Sequence, residues 1–250
     1  MTACFVVQHR ILCLAAADTR LSITNESGHV PTTSDLSDIH ISDQVGNSIF
    51  VPYRYRKIRR VGRGWAVAAG TFISGKAMLD LLSAEEAFEI ERAKHTLQNL
   101  APARLVDLES TIGGACFGSD GSRIIGVSVD EFERGAWVAD YGNESGYLVS
   151  PVGNFGMNWP SSIPALDQDN AQTQFFEAVE NLDDIGDAIR GAAALIGAAR
   201  AAPDCSQNVQ IGLTVHDTPT EFHMRYLEGP IDEILSLTNE QIRMRWEILA

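Results

Sequence analysis

The chain has 250 residues, of which 45% are hydrophobic and 21% are charged, so it can bury one large core and we expect a single domain over 1–250. Its 33 acidic and 19 basic residues give a net charge of −14, which argues against a nucleic-acid partner because phosphate contacts need a basic footprint. No apolar run approaches the length of a membrane span, and the 4 cysteines lack a Cys-x-x-Cys spacing, which indicates reduced core thiols in a cytoplasmic protein.

The chain opens with a predicted β-hairpin. Residues 3–7 and 11–17 are apolar and flank a polar triplet at 8–10, the pattern of two buried strands joined by a tight turn. If Met1 is removed, Thr2 carries a hydroxyl and an α-amine on one residue. An α-amine has a reference pKa of about 7.7 to 8.0, so it can accept the hydroxyl proton near neutral pH and make the oxygen nucleophilic. The alternative is that Thr2 is an ordinary second residue.

A second hairpin is predicted after a long polar segment. Residues 25–52 are rich in turn-forming residues, and we expect an inserted loop or flap there. Residues 55–71 follow with the pattern of two strands around a turn at 62–64. Lys57 lies in this segment among several arginines. Such a basic run is also typical of a solvated strand face or a subunit interface.

Three short motifs then occur in a fixed order behind Thr2. They are Ala17-Asp18-x-Arg20-x-Ser22, Lys57-Ile58-x-x-Val61 and, before a predicted helix, Ala69-Gly70-Thr71. This order resembles the proteasome-type N-terminal-nucleophile (Ntn) hydrolases, which include proteasome β-subunits, HslV-type peptidases and bacterial proteasome homologues. The resemblance is strongest over residues 2–82. The long 25–52 segment departs from the family, which is usually more compact there.

The resemblance implies a role for each matching residue. Thr2 corresponds to the nucleophile, and Asp18, sixteen residues later, corresponds to a buried carboxylate. Lys57 corresponds to a lysine that is paired with this carboxylate and whose ammonium lowers the pKa of the threonine hydroxyl. Gly70 corresponds to the glycine whose N–H faces the developing oxyanion. Arg20 corresponds to an arginine that braces the end of the strand.

The rest of the chain predicts alternating helices and strands. We expect a helix after Thr71, then a capping box at 83–86 that starts a second helix running to about residue 100. Further elements are predicted along the remainder of the chain, with strands at 113–118, 123–129, 135–141, 147–151, 208–216 and 221–227, and helices at 171–181 and 183–202. Residues 231–250 are expected to form a tail helix or a subunit contact.

Three further hydroxyls and one carboxylate are weaker site candidates. Ser161 or Ser162, in a glycine-rich tract at 153–162, could supply a supporting hydroxyl, although a plain loop fits this tract as well. Asp204 and Ser206 are similar to an Asp-x-x-Ser motif of the family, with one residue fewer between them. They are supporting candidates only.

The resemblance implies an α+β fold, a four-layer αββα sandwich of the Ntn-hydrolase type. It implies a threonine peptidase that acts on peptides or unfolded proteins inside a ring-shaped homo-oligomer, with an ATPase unfoldase as a further partner. A catalytically silent proteasome-like scaffold that retains Met1 and a small-amide hydrolase of the same superfamily are the alternatives. The 6 histidines lack metal-binding spacings and no phosphate or dinucleotide loop is present, so we expect no metal and no cofactor.

Overall fold

Two antiparallel sheets dominate the structure. A computed structural model describes residues 3–19, 21–25, 28–32, 39–42, 48–51, 56–70, 72–98, 122–130, 134–142, 146–160, 162–180, 184–201, 205–216, 222–245 and 247–248. In spatial order, the first sheet contains β12 (Phe155–Asn158), β1 (Cys4–His9), β2 (Leu12–Asp18), β13 (Asn208–His216), β14 (Phe222–Pro230) and β15 (Glu247–Ile248). The second sheet contains β11 (Gly146–Gly153), β10 (Arg134–Gly142), β9 (Ser122–Val129), β8 (Gly64–Gly70) and β7 (Ile58–Val61).

Helices accompany both sheets. The described helices are α1 (Phe72–Leu82), α2 (90–98), α3 (Ala165–Glu180), α4 (Ile185–Ala198), α5 (Ile231–Ser236) and α6 (Asn239–Arg245). A short 3₁₀ turn, Ala199–Ala201, extends α4. None of these helices is both long and apolar enough to cross a bilayer. The combination of sheets and helices confirms the predicted α+β class.

The sequence of β2 explains how the sheets and helices are arranged around the core. All its residues are buried, and side chains on a strand point alternately to opposite faces. Leu12, Leu14 and Ala16 join a cluster with α3, α4 and the outer face of the first sheet. Cys13, Ala15 and Ala17 join a second cluster with residues of β7, β8 and β9, between the two sheets. A third cluster packs the second sheet against α1 and α2.

Trp65 links the two sheets at the centre of the molecule. Its ring from β8 lies over Gly212 of β13, where an added Cβ atom would be 2.4 Å from the ring. Its indole N–H donates to the hydroxyl of Thr214 at 2.9 Å. A buried indole N–H normally needs such a partner. The contact therefore fixes the spacing of β8 against β13.

Both predicted hairpins are confirmed. In the first, Cys4 pairs with Ala17, although β1 runs through His9 and the turn falls at residues 10–11 rather than 8–10. In the second, the turn is Gly62-Arg63, and Gly62 has a φ of 55°, a backbone conformation that favours glycine.

Three segments differ from their sequence-based predictions. The predicted inserted loop at 25–52 contains β4 (Gly28–Thr32), which pairs with β3 (Leu21–Asn25) just before it, and a hairpin of β5 (Ile39–Ser42) with β6 (Ser48–Val51). Residues 155–158, predicted as a loop, form β12 because β1 offers them a pairing edge. The 231–250 tail forms two short helices and β15 rather than one helix. The predicted strand at 113–118 lies outside the described residues.

The predicted capping box at 83–86 is wrong, because α2 begins only at residue 90. The N–H of Phe88 instead donates to the carboxylate of Asp130 at 3.0 Å, and that carboxylate also accepts the N–H of Arg63 at 3.2 Å. Glu85 accepts the Thr96 hydroxyl at 3.2 Å. A buried carboxylate that follows β9 therefore holds residues 85–89 in a non-helical path.

Candidate active site

A buried ion pair joins the two sheets at one end. Asp18 is the last residue of β2 in the first sheet, and Lys57 directly precedes β7 in the second. The Lys57 Nζ lies 3.3 Å from each carboxylate oxygen of Asp18, and the side chains are 2% and 0% exposed. Burying two charges is costly unless each is paired and hydrogen-bonded. The pair therefore constrains both side chains to one geometry.

The Asp18 carboxylate also holds the start of the chain. Its Oδ1 accepts the backbone N–H of Ala3 at 3.0 Å, and the Asp18 N–H donates to the Ala3 carbonyl. Ala3 is the residue that follows Thr2 in the sequence. Thr2 itself lies outside the described residues. The ammonium of Lys57 is thus linked through one carboxylate to the peptide nitrogen that joins residues 2 and 3.

The remaining predicted residues are placed as follows. Gly70 is the last residue of β8 and pairs with Ser122 of β9. Two residues earlier in β8, the N–H of Ala68 donates to the Lys57 carbonyl at 3.4 Å. Gly70 and Lys57 therefore lie toward the same end of the second sheet. Arg20, Asp204 and Ser161 lie outside the described residues, and Ser162 is exposed.

Ser206 lies against the residue that follows Asp18. Its Oγ accepts the N–H of Thr19 at 3.2 Å, lies 2.8 Å from the Thr19 hydroxyl oxygen, and donates to the Asn208 carbonyl at 2.7 Å. Ser206 is 1% exposed. It therefore fixes the exit of β2, and through it the carboxylate of Asp18.

Gln210 is a site residue that the sequence analysis missed. Its Oε1 accepts the N–H of Lys57 at 2.8 Å, so a side chain of the first sheet binds the main chain of the lysine. The signal was present in the sequence. In β13, the face that carries Gly212 against Trp65 is otherwise polar, with Asn208, Gln210, Thr214 and His216, and it alternates with an apolar face.

Two cysteine thiols close to the ion pair are unsuited to act as nucleophiles. Burial, and to a smaller extent the negative charge of Asp18, raises the pKa of Cys4 from 9.0 to about 12. Burial and then Asp18 act on Cys205 in the same direction and also raise its pKa to about 12. Since the thiolate is the reactive form, both groups are inert thiols near neutral pH. Cys4, Cys13 and Cys205 are all free, in line with the expectation of reduced core thiols, and Cys116 lies outside the described residues.

The buried thiols predict a loss of stability at alkaline pH. Burial raises the pKa of Cys13, like that of Cys4, from 9.0 to about 12, so the unfolded chain releases these protons at lower pH than the folded chain. The free energy of unfolding should be unaffected by these groups below pH 9 and fall as the pH rises toward 12. We expect a loss of about 1 kcal/mol per thiol at pH 10, measured by urea unfolding at pH 8 and pH 10.

Cys13→Ala provides the control for this prediction. The variant should be less stable than the wild type at both pH values because it loses buried volume. The fall in its free energy of unfolding between pH 8 and pH 10 should nevertheless be smaller than that of the wild type, because the variant lacks one thiol with a raised pKa. An equal pH-dependent loss in both proteins would contradict the assignment.

The described residues offer no metal site. No group of three or more histidine, cysteine, aspartate or glutamate side chains within them could hold a metal ion. The site instead provides the buried Lys57 ammonium, the Asp18 carboxylate that fixes it, and Gly70, which ends its strand toward the same end of the second sheet as Lys57.

Comparisons with known proteins bear on the fold. The sequence matches no protein-family model, and no curated protein matches it significantly. Among solved structures, an Anbu (Gly-1) mutant from Hyphomicrobium sp. strain MC1 is similar with a TM-score of 0.52 and 12% identity, over 98% of this chain and 96% of that one. At that identity the likeness shows the fold alone.

Two further solved structures are similar at lower TM-scores. One is Thiobacillus denitrificans BPH in complex with epoxomicin, with a TM-score of 0.46 and 14% identity over 87% of this chain and 100% of that one. The other is Anbu, an ancestral β-subunit, from Yersinia bercovieri, with a TM-score of 0.48 and 8% identity over 96% and 84%. The chain therefore shares its fold with the Anbu structure from Hyphomicrobium sp. strain MC1.

Proposed function

We propose that this chain is a threonine peptidase whose nucleophile is the hydroxyl of Thr2 after removal of Met1. The observation that carries the proposal is the buried Asp18–Lys57 pair, whose carboxylate also accepts the Ala3 N–H. The buried Lys57 ammonium is held by the carboxylate that also accepts the Ala3 N–H, and a nearby positive charge favours the ionised form of a hydroxyl, which supports the proposal.

The reaction follows from these groups. The α-amine of Thr2 accepts the hydroxyl proton, directly or through one water, and Oγ attacks the carbonyl carbon of a peptide bond. The Gly70 N–H stabilises the resulting oxyanion, and Lys57 lowers the free energy of the negative charge that develops on Oγ. The C–N bond breaks as the α-ammonium returns its proton to the leaving amine. Water, deprotonated by the α-amine, then attacks the ester carbonyl, the bond between the acyl carbon and Oγ breaks, and the α-ammonium returns its proton to Oγ, which releases a carboxylic acid and restores Thr2.

The proposal extends to the architecture and assembly of the protein. The three hydrophobic clusters support an order of helices, sheet, sheet and helices, the four-layer αββα sandwich of a single Ntn-hydrolase domain. We propose that copies of the chain form a ring that encloses the sites, that peptides or unfolded proteins are the substrates, and that an ATPase unfoldase supplies them. Arg20 and Asp204 are proposed supporting residues near the strand ends.

Intact mass before and after incubation with a peptide epoxyketone tests the proposal. This reagent forms its stable ring adduct only with a hydroxyl and a free α-amine on one residue. We expect a protein that lacks Met1 and gains one adduct. Thr2→Ser should retain the adduct because it keeps the hydroxyl, whereas Thr2→Ala should lose it. A retained Met1 without an adduct would overturn the peptidase and favour the scaffold.

A further inference from the structure

Three side chains of the first sheet surround the main chain just before β7. We propose that Gln210, Glu228 and Tyr226 form a positioning unit that sets Lys57 in its place for catalysis, an inference that rests on the proposed peptidase function. Gln210 belongs to β13, and the other two residues belong to β14. None of the three is assigned a chemical step in the reaction.

Gln210 binds the lysine through the backbone. Its Oε1 accepts the N–H of Lys57 at 2.8 Å and lies 3.4 Å from the N of Ile58, which also donates to it. Gln210 is 1% exposed. In the second sheet β7 is the last strand in the order, with β8 as its neighbour on one side. The first sheet therefore supplies a restraint on the start of β7 in addition to its pairing with β8.

Glu228 fixes which end of the Gln210 amide faces Lys57. The Gln210 Nε2 donates to Glu228 Oε2 at 3.4 Å, and the Tyr226 hydroxyl donates to the same oxygen at 2.6 Å. A carboxylate only accepts hydrogen bonds, so it selects the NH₂ group of the amide and turns the amide oxygen toward β7. The hydrogen-bond network therefore determines an amide orientation that would otherwise be free to invert.

Tyr226 also holds the residue before the lysine. The guanidinium carbon of Arg56 lies 4.3 Å from the centre of the Tyr226 ring, a favourable cation–π contact. One tyrosine thus contacts Arg56 with its ring and Glu228 with its hydroxyl. Together with Gln210, it restrains the chain on both sides of the Lys57 Cα atom.

The restraint matters because the lysine side chain is long and flexible. Asp18 fixes the Nζ end, and Gln210 fixes the main-chain end, so the ammonium is held at both ends of its stem. Displacements of about 1 Å in a catalytic group can cost roughly 100-fold in rate. A unit that fixes the main chain of Lys57 therefore acts on the reaction through position, without touching the substrate.

An exchange of amide and carboxylate tests the proposal. Gln210→Glu keeps an acceptor for the Lys57 N–H but places two carboxylates side by side. We expect its rate of epoxyketone adduct formation to fall about 10- to 100-fold. The double variant Gln210→Glu/Glu228→Gln restores a donor–acceptor match between positions 210 and 228 and the wild-type net charge, with the Tyr226 hydroxyl then accepting from the amide introduced at position 228. It should recover most of the lost rate.

Lysine-selective NMR provides a readout that does not depend on catalysis. The chain contains only three lysines, at 57, 76 and 94, so ¹³C-labelled lysine gives few signals, and Lys57→Arg assigns the relevant one. The Lys57 signal should move in Gln210→Glu and return in the double variant. Tyr226→Phe, which removes one hydroxyl and keeps the ring, should move the signal less and in the same direction.

Thr214→Val is the matched structural control. It lies on the same strand and face as Gln210 and removes the partner of the Trp65 N–H. It should lower stability and leave the Lys57 signal unchanged. A wild-type Lys57 signal in Gln210→Glu, or no recovery in the double variant, would overturn the positioning unit. If the wild type itself forms no adduct, the peptidase proposal fails, and the Lys57 signal still decides whether Gln210 positions the lysine.

Discussion

Replacing Lys57 by methionine is expected to destabilise the protein by about 3 to 5 kcal/mol and to abolish adduct formation with a peptide epoxyketone. The carboxylate of Asp18 is 0% exposed and would remain buried without its counter-ion. The Ala3 N–H still donates to it, but a neutral donor does not replace an ammonium. The free energy of unfolding from urea titration and the adduct mass measure the two effects.

Two further variants separate charge from packing. Lys57→Met combined with Asp18→Asn should recover part of the lost stability, because neither position of the pair then carries a charge, and should still form no adduct. Arg59→Met removes a cation whose ion pair with Asp80 is 34% and 39% exposed, and it should change stability by no more than about 1 kcal/mol. A loss in Lys57→Met as small as that of Arg59→Met would show that the buried pair is not a strong constraint.

Gly212→Ala is expected to cost about 3 kcal/mol, the upper end of the range for overpacking a core. The added carbon would lie 2.4 Å from the ring of Trp65, which is 1% exposed and held by its hydrogen bond to Thr214. The two sheets must therefore move apart or the indole must turn. Since Asp18 and Lys57 belong to different sheets, adduct formation should slow as well. Thermal or urea unfolding and the rate of adduct formation test both effects.

Gly229→Ala is the matched control, on the neighbouring strand β14. An added Cβ atom there would meet only Ile234, at 3.8 Å, which is ordinary van der Waals contact. We expect its stability and adduct rate to stay close to the wild-type values. Equal losses in both variants would mean that the effect comes from a glycine in a strand and not from the contact with Trp65.

The local patterns of the sequence predict most elements but not all of their limits. The apolar runs around 8–10 and the turn at 62–64 suffice for both hairpins, because strand alternation and a two-residue turn are local properties. The start of α2 was not predictable in this way. Asp130, which accepts the Phe88 N–H, lies 42 residues farther along the chain. The same holds for β12, because its partner β1 lies much earlier in the chain, with Cys4 paired to Asn158.

The candidate site also contains residues that the sequence could identify and one that only the structure could. The motifs around Asp18, Lys57 and Gly70 identify these residues through their resemblance to a family, and the structure brings Asp18 and Lys57 into contact. Gln210 lies in no motif. Its importance depends on the packing of β13 against the start of β7, which belongs to the other sheet.

The sequence by itself determined the two hairpins, which follow from local periodicity and spacing, and the residues whose order resembles the proteasome-type hydrolases. That resemblance implied the α+β class. Only the tertiary structure decided that Asp18 also holds the Ala3 N–H, that Gln210 and Glu228 restrain Lys57, and that Trp65 spaces the sheets against Gly212. These contacts join residues far apart in the chain. They form only when two sheets pack face to face and bury polar groups that must then find partners.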